Sequence, residues 1–576
     1  MATIYAGKPE DEPPAVGRAA VAPAPLARRG GRGGLVWPAA ALLLAALVAV
    51  PVVVVLSAGV TPDLAVWSHL IDTVLGRYLV NTFWLVIGVG AGTLTLGVGT
   101  AWLVTMCRFP GRRTFEWALL LPMAVPAYVI AYTYSGLLDY SGPVQETLRI
   151  LIGATSRRDY WFPQIRSLGG AIVVMTLVLY PYVYLLARSA FLEQSMCVLE
   201  IGRTLGNGPW SCFRRIALPL ARPAIVTGVS LALMEVLADF GTVDYFAVDT
   251  FTTGIYRTWF GLGERAAAAQ LAAALLSVVL ILVLLERASR GDRRFHHTSR
   301  RYRPLPGWQL RGLRKAGAVA ACALPILCGF LIPATALGWW ALTSRLDSGS
   351  GFPRLVATSL LLAAAAAVMA VAAALVIAYA RRLSPGRASA LAARVAAMGY
   401  AVPGAVIAVG IVVPLAAADG VIIDIARALG LGNPGLVLTG TLVGLLYAYM
   451  VRFLAVSLNT VEASLGKVTA SMDDAARVFG LGPGATLVRV HAPLVSGGLL
   501  TAALLVFVDV LKELPATLIL RPFGIGTLAM RTYELAGDER LADASLPALT
   551  IVAAGILPVI LLSRAIARSR PGAQSS

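Results

Sequence analysis

The chain is a succession of long apolar runs, near 35–59, 79–106, 116–139, 168–190, 220–248, 267–285, 316–342, 355–380, 388–416, 435–458, 493–520 and 543–564. A helix needs about 20 such residues to cross the hydrocarbon of a bilayer. In lipid, every backbone polar group must be satisfied within the protein, which a helix does by itself. The runs therefore predict an all-α membrane protein with twelve transmembrane helices. A barrel would alternate apolar and polar residues at period two, and these runs do not. Composition agrees: 58% of residues are hydrophobic and 14% charged, whereas a soluble domain is about half apolar and about a quarter charged.

The net charge of +18 would suit a nucleic-acid partner, but its placement argues against one. Arg287, Arg290, Arg293, Arg294, Arg300, Arg301, Arg303, Arg311, Arg314 and Lys315 fall between the sixth and seventh runs, opposed only by Glu286 and Asp292. The loops Arg108–Arg113 and Arg381–Arg394 are basic too, and alternation of the segments puts all three on one side. Basic loops mark the cytoplasmic side. The expectation is a multi-pass protein of a bacterial inner membrane with both termini cytoplasmic. It divides into a disordered N-terminus (1–34), a first six-helix unit (35–285), a basic linker (286–315), a second unit (316–566) and a tail (567–576). The lipid bilayer is the partner these arginines address, and no nucleic acid is expected. Loop 140–167, with Arg149, Arg157, Arg158 and Arg166, is the exception to the charge rule. The five cysteines lack metal-ligand spacing and read as packing residues.

The two units repeat one plan. Ala124-Val125-Pro126-Ala127-Tyr128-Val129-Ile130-Ala131 returns as Ala401-Val402-Pro403-Gly404-Ala405-Val406-Ile407-Ala408, identical at six of eight positions. Pro110-Gly111-Arg112 returns as Pro385-Gly386-Arg387. Six helices separate the copies, an even number, so they share one orientation. Transporters built on such parallel repeats place their pathway at the repeat interface.

A second correspondence holds at a constant offset of 274 residues. Glu200-Ile201-Gly202-Arg203-Thr204-Leu205-Gly206, followed by Leu218-Pro219, matches Asp474-Ala475-Ala476-Arg477-Val478-Phe479-Gly480, followed by Ala492-Pro493. Each stretch predicts a short helix, a glycine stop through positive φ at Gly206 and Gly480, and a proline in the first turn of the next membrane helix, Pro219 and Pro493. Ser471 and Asp474 have capping-box spacing.

These two stretches resemble the Glu-Ala-Ala loop of ABC-importer permeases. The resemblance implies that Glu200, Arg203, Gly206 and Pro219, with Asp474, Arg477, Gly480 and Pro493, form coupling helices seated in the ATP-binding subunits. Glu235-Val236-Leu237-Ala238-Asp239-Phe240-Gly241-Thr242 and Lys512-Glu513-Leu514-Pro515-Ala516-Thr517 resemble the fused permeases of the ferric-iron importer family. That resemblance implies type I importer architecture, two copies of an ATPase subunit and an extracytoplasmic (periplasmic) binding protein. It makes ferric iron the expected substrate, with thiamine or a phosphonate as alternatives on the same plan. A secondary transporter driven by an ion gradient shares the helix count but gives no reason for paired coupling loops. A membrane enzyme would leave the repeat unexplained.

No phosphate-binding loop of the form G-x-x-x-x-G-K-[ST] is present, so ATP is expected to be used by partner subunits and no cofactor to be bound by this chain. No catalytic set or metal cluster is expected either. Four acids inside membrane runs stand out, because ionisable groups there are costly and functional by default. Glu235 and Asp239 share one helix face, and Asp509 and Glu513 match them at the 274 offset. They are candidates for the translocation pathway, with an equal case for structural bonding across helices.

Overall fold

The computed structural model describes residues 33–60, 64–193, 208–290, 308–343 and 351–568. Ten helices among them are long and apolar enough to cross a membrane, and two bent pairs bring the total to twelve. In chain order these are α1 (Val36–Val60), α2 (Trp67–Met106), α3 (Arg112–Ala124 with Ala127–Ile152), α4 (Leu168–Leu192), α5 (Trp210–Ala238) and α6 (Arg265–Ser289). The second half holds α7 (Gly312–Thr343), α8 (Phe352–Leu383), α9 (Gly404–Ala428), α10 (Leu442–Leu465), α11 (Pro483–Leu494 with Ser496–Leu511) and α12 (Leu541–Pro558).

The repeated octapeptide is a designed break in a helix. Proline disfavours helical geometry in the residue before it and suits a helix start. Val125 (φ −100°, ψ 125°) and Val402 (φ −82°, ψ 125°) are accordingly extended, each after a short 3₁₀ turn. Pro126 (φ −60°, ψ 143°) and Pro403 (φ −57°, ψ 143°) then cap the helices that follow. In the first half this bends α3 by 90°. In the second it divides the expected run 388–416 into a separate helix, Arg387–Ala396, and α9.

Three helices of each half form its centre: α2, α4 and α5, and their counterparts α8, α10 and α11. α4 and α10 start 274 residues apart behind hydroxyl caps, Ser167 Oγ accepting from the Gly170 amide (3.2 Å) and Thr441 Oγ1 from that of Val443 (3.3 Å). π-turns at Phe213–Ala217 and Leu487–His491 precede Pro219 and Pro493 at the same offset. Helix association in lipid depends on close packing, which small residues permit. α8 buries Ala363, Ala366, Ala367, Ala370 and Ala374 for this purpose.

The halves exchange their first helices. α1 packs on α8 and α9, with Tyr447 Oη donating to the Leu47 carbonyl (2.5 Å) and Trp37 edge-on to Tyr379 (4.9 Å). α7 lies on the first half, where Tyr134 Oη donates to the Cys328 carbonyl (2.6 Å) and Ala318, Cys322 and Ile326 join a buried first-half cluster. The far end of the basic linker is tied down as well: Trp308 and Gln309 pair in parallel with Cys107 and Arg108. Trp308 also lies against Trp102, ring centroids 5.5 Å apart.

Candidate functional site

The four acids singled out from the sequence line one cavity of about 110 Å³ between the halves. A buried water needs ~10–15 Å³ of such space, so the cavity suits a small ion with a few waters. The first half contributes the α3 break (Val125 to Tyr128), α4 (Met175, Val178, Tyr182) and the end of α5 (Glu235, Asp239). The second contributes Tyr400, Arg452 of α10, Asp509 of α11 and the stretch Lys512 to Pro515.

The acids divide into two kinds. Asp239 ends α5 and caps the short helix Gly241–Tyr245, accepting from the Thr242 amide (2.9 Å), the Thr242 hydroxyl (3.0 Å) and the Val243 amide (3.2 Å). Glu513 does the same for the helix Pro515–Leu520, accepting from the amides of Ala516 (2.9 Å) and Thr517 (3.1 Å) and from the Thr517 hydroxyl (2.7 Å). Both are bound into the break itself, by local caps rather than by bonds across helices alone. Glu235 and Asp509 remain about a quarter exposed and face the cavity.

Two cations neutralise this lining, and both belong to the second half. Lys512 pairs with Asp509 at 2.8 Å. Arg452, 8% exposed, reaches Glu513 at 3.4 Å and, across the interface, Glu235 at 3.8 Å. The 274 offset places Val178 and Ala238 at the corresponding first-half positions. Sequence reasoning passed over Arg452, although it is an ionisable residue in the tenth apolar run and the rule that selected the acids selects it too. A Cβ at Gly404 would lie 2.3 Å from an Arg452 terminal nitrogen and 2.7 Å from Glu513 Oε1. The first half carries Ala127 at that place, and Val178 where the second half has Arg452. One of the two differences between the octapeptides is thus the space the arginine needs.

On the loop between α10 and α11, the predicted short helix exists as Ala470–Val478. It buries Ala476 and exposes the other face, with Val478 85% and Phe479 83% exposed. Gly480 has φ 74°, the stop expected of it. Asp474 and Arg477 pair with each other on the exposed side at 3.3 Å. The capping box does not form: the N-cap is Thr469, and Ser471 lies inside the helix. Arg382 of α8 sets that earlier start by donating to the carbonyls of Leu465 (3.0 Å), Val468 (2.8 Å) and Thr469 (3.3 Å). It also holds Asp473 at 2.8 Å, and the other Asp473 oxygen meets buried His491 Nε2 at 2.6 Å. Asp473, beside the acid that the motif marks, is therefore the anchor. Glu200, Arg203 and Gly206 lie outside the described residues. Pro219 sits at the start of the helix Leu218–Ala238, within a continuous α5. Pro493 is followed within two residues by a 79° bend, because it supplies no amide and Gly497 and Gly498 hold a helix poorly.

Beyond the cavity the halves are tied together. Tyr533 donates to Asp244, Tyr256 to the Pro515 carbonyl, and Arg166 pairs with Glu539 at 3.7 Å. A bundle of paired halves, with a charged cavity at their interface and an amphipathic helix exposed at one end, has the parts of a transport pathway worked from outside the chain.

Comparison with known proteins agrees. Residues 93–290 match the family described as binding-protein-dependent transport system inner membrane component. The match falls on the first of the two repeated halves. The Fe(3+)-transport system permease protein FbpB 2 of Haemophilus influenzae is 26% identical over 495 residues, covering 85% of this chain and 90% of that protein. The molybdenum transport system permease protein ModB of Escherichia coli is 28% identical over 83% of its own length but only 34% of this chain, as one half of a duplicated chain would be. The sulfate transport system permease protein CysT of Escherichia coli is 31% identical over 152 residues, 26% of this chain and 51% of that protein. A single stretch of this chain thus matches most of a whole relative.

Proposed function

We propose that the chain is the permease subunit of an ATP-driven importer of ferric iron, working by alternating access. The observation that supports it best is the cavity between parallel halves, lined by acids from both and present in a chain similar end to end to a permease named for ferric transport. Carboxylates and phenols are oxygen donors suited to a hard cation. Two ATPase copies would dock on one face, one at the helix Ala470–Val478 and one at the loop holding Glu200, Arg203 and Gly206. The exposed Val478 and Phe479 offer the first of these an apolar contact. A substrate-binding protein would dock on the opposite face, and both termini would be cytoplasmic. ATP closure of the partners would move these loops, open the tied ends near Asp244 and Tyr533, and admit substrate to the cavity.

Arg452 and Lys512 favour a second reading, an anionic substrate such as a phosphonate, but two cations stand against four carboxylates. Uptake of labelled ferric iron by an iron-starved deletion strain tests the proposal, with wild type compared with Gly206→Pro plus Gly480→Pro at equal abundance. Uptake restored only by the wild type is expected. Wild-type rescue undiminished in the double variant would sink the coupling role, and no iron uptake by either would move the substrate to thiamine or a phosphonate.

A further inference from the structure

Arg452 is the cation whose place in the cavity is least fixed by its surroundings. Its firmer partner, Glu513, already accepts three hydrogen bonds from the helix it caps and cannot leave. Its other partner, Glu235, belongs to the opposite half, is a quarter exposed and lies at the longer distance of 3.8 Å. Tyr400 lines the same cavity. Arg452 Nε is buried without a hydrogen-bond partner, as is the hydroxyl of Tyr128 on the facing wall. The guanidinium is thus anchored at one end and loosely held at the end that faces the free space.

We propose that Arg452 is a tethered counter-cation. In the empty permease it occupies the carboxylate site that Glu235 offers at the interface. An entering cation takes Glu235 and displaces Arg452 onto Glu513, and the arginine's return to Glu235 expels the cation. Glu235 faces the cavity, so its carboxylate is open to either the arginine or the cargo. The exchange selects cations, because an anion or a neutral solute cannot compete with a guanidinium for a carboxylate. It also keeps the permease from retaining what it carries. This inference rests on the reading of the chain as a cation importer.

The test uses the purified permease with its ATPase partners, in nanodiscs without binding protein, and measures retention of radiolabelled ferric citrate, Ga³⁺ and thiamine after gel filtration. Wild type should retain little. Arg452→Gln keeps a hydrogen-bonding side chain beside Glu513 and should raise ferric and gallium retention at least about tenfold, the factor that 1.4 kcal/mol of affinity represents. Arg452→Lys restores the positive charge and should return retention to the wild-type level. Glu235→Gln combined with Arg452→Gln should abolish the gain, which a general loosening of the fold would leave in place. Raised retention of thiamine alone would support the exchange and overturn the ferric reading. Equal, low retention of every probe by Arg452→Gln and wild type, with melting temperatures matched, would overturn the exchange itself.

Discussion

The two halves share their backbone devices and differ in their charges. Each breaks a helix at Pro126 or Pro403, starts its central helix behind a hydroxyl cap, and bridges a break with an acid, Asp239 or Glu513. Among the described residues, only the second half adds cations, Arg452 and Lys512, to the cavity, and it pins its exposed helix with Arg382, Asp473 and His491. At the 274 offset the first half has Val178, Ala238, Leu199 and Ala217 in place of Arg452, Lys512, Asp473 and His491. Arg382 falls at Arg108, which pairs with Gln309 of the linker. Duplication has kept what shapes the chain and let the electrostatics diverge, so the halves are alike as scaffolds and unlike as functional surfaces.

The largest expected difference lies between the two capping acids. Glu513→Ala strands Arg452 in a buried site and should cost about 3–5 kcal/mol, whereas Asp239→Ala removes a cap and should cost ~1–2 kcal/mol. Equal melting-temperature losses in the purified protein would break the comparison. Next, Asp473→Ala should cost about 1.5–3 kcal/mol, the worth of hydrogen bonds to charged groups. Faster proteolysis confined to residues near 470–480 is the signature to look for. Third, Val178→Arg places an arginine at the first-half position that matches Arg452 and should destabilise by roughly 1–3 kcal/mol through overpacking. Adding Ala127→Gly, which recreates the second-half pair, should recover part of that loss; no recovery would mean that Gly404 is unrelated to Arg452. Smallest, Ala127→Gly alone should cost ~0.5–1 kcal/mol as a helix residue exchanged for glycine. It should be milder than Gly404→Ala, which crowds the Arg452–Glu513 pair.

Much of this was legible before the structure. Uninterrupted apolar runs locate membrane helices because lipid demands self-satisfied backbones, and the 274 offset picked out four acids that line one cavity. The helix at Ala470–Val478 and the positive φ of Gly480 followed from the same repeat. What escaped were features that depend on distant partners. Apolarity shows that α1 is buried in something but not that its neighbour is the other half. The capping box failed because Arg382, about 90 residues upstream, captures the carbonyls at Val468 and Thr469 and moves the helix start. Arg452 was within reach of the rule that found the acids. The break at Val402-Pro403 was likewise visible in its proline, masked only by unbroken hydropathy on either side.

Central to the account is that the halves must part at their tied ends for substrate to enter the cavity between them. Asp244→Cys with Tyr533→Cys, joined by a reducible bifunctional thiol reagent, tests this directly in vesicles carrying the full importer, with each single-cysteine variant as control. The account predicts that uptake falls to background when the two sites are linked and returns when the link is reduced. Linked protein that imports at the unlinked rate would contradict it, and would place the pathway elsewhere than between the halves.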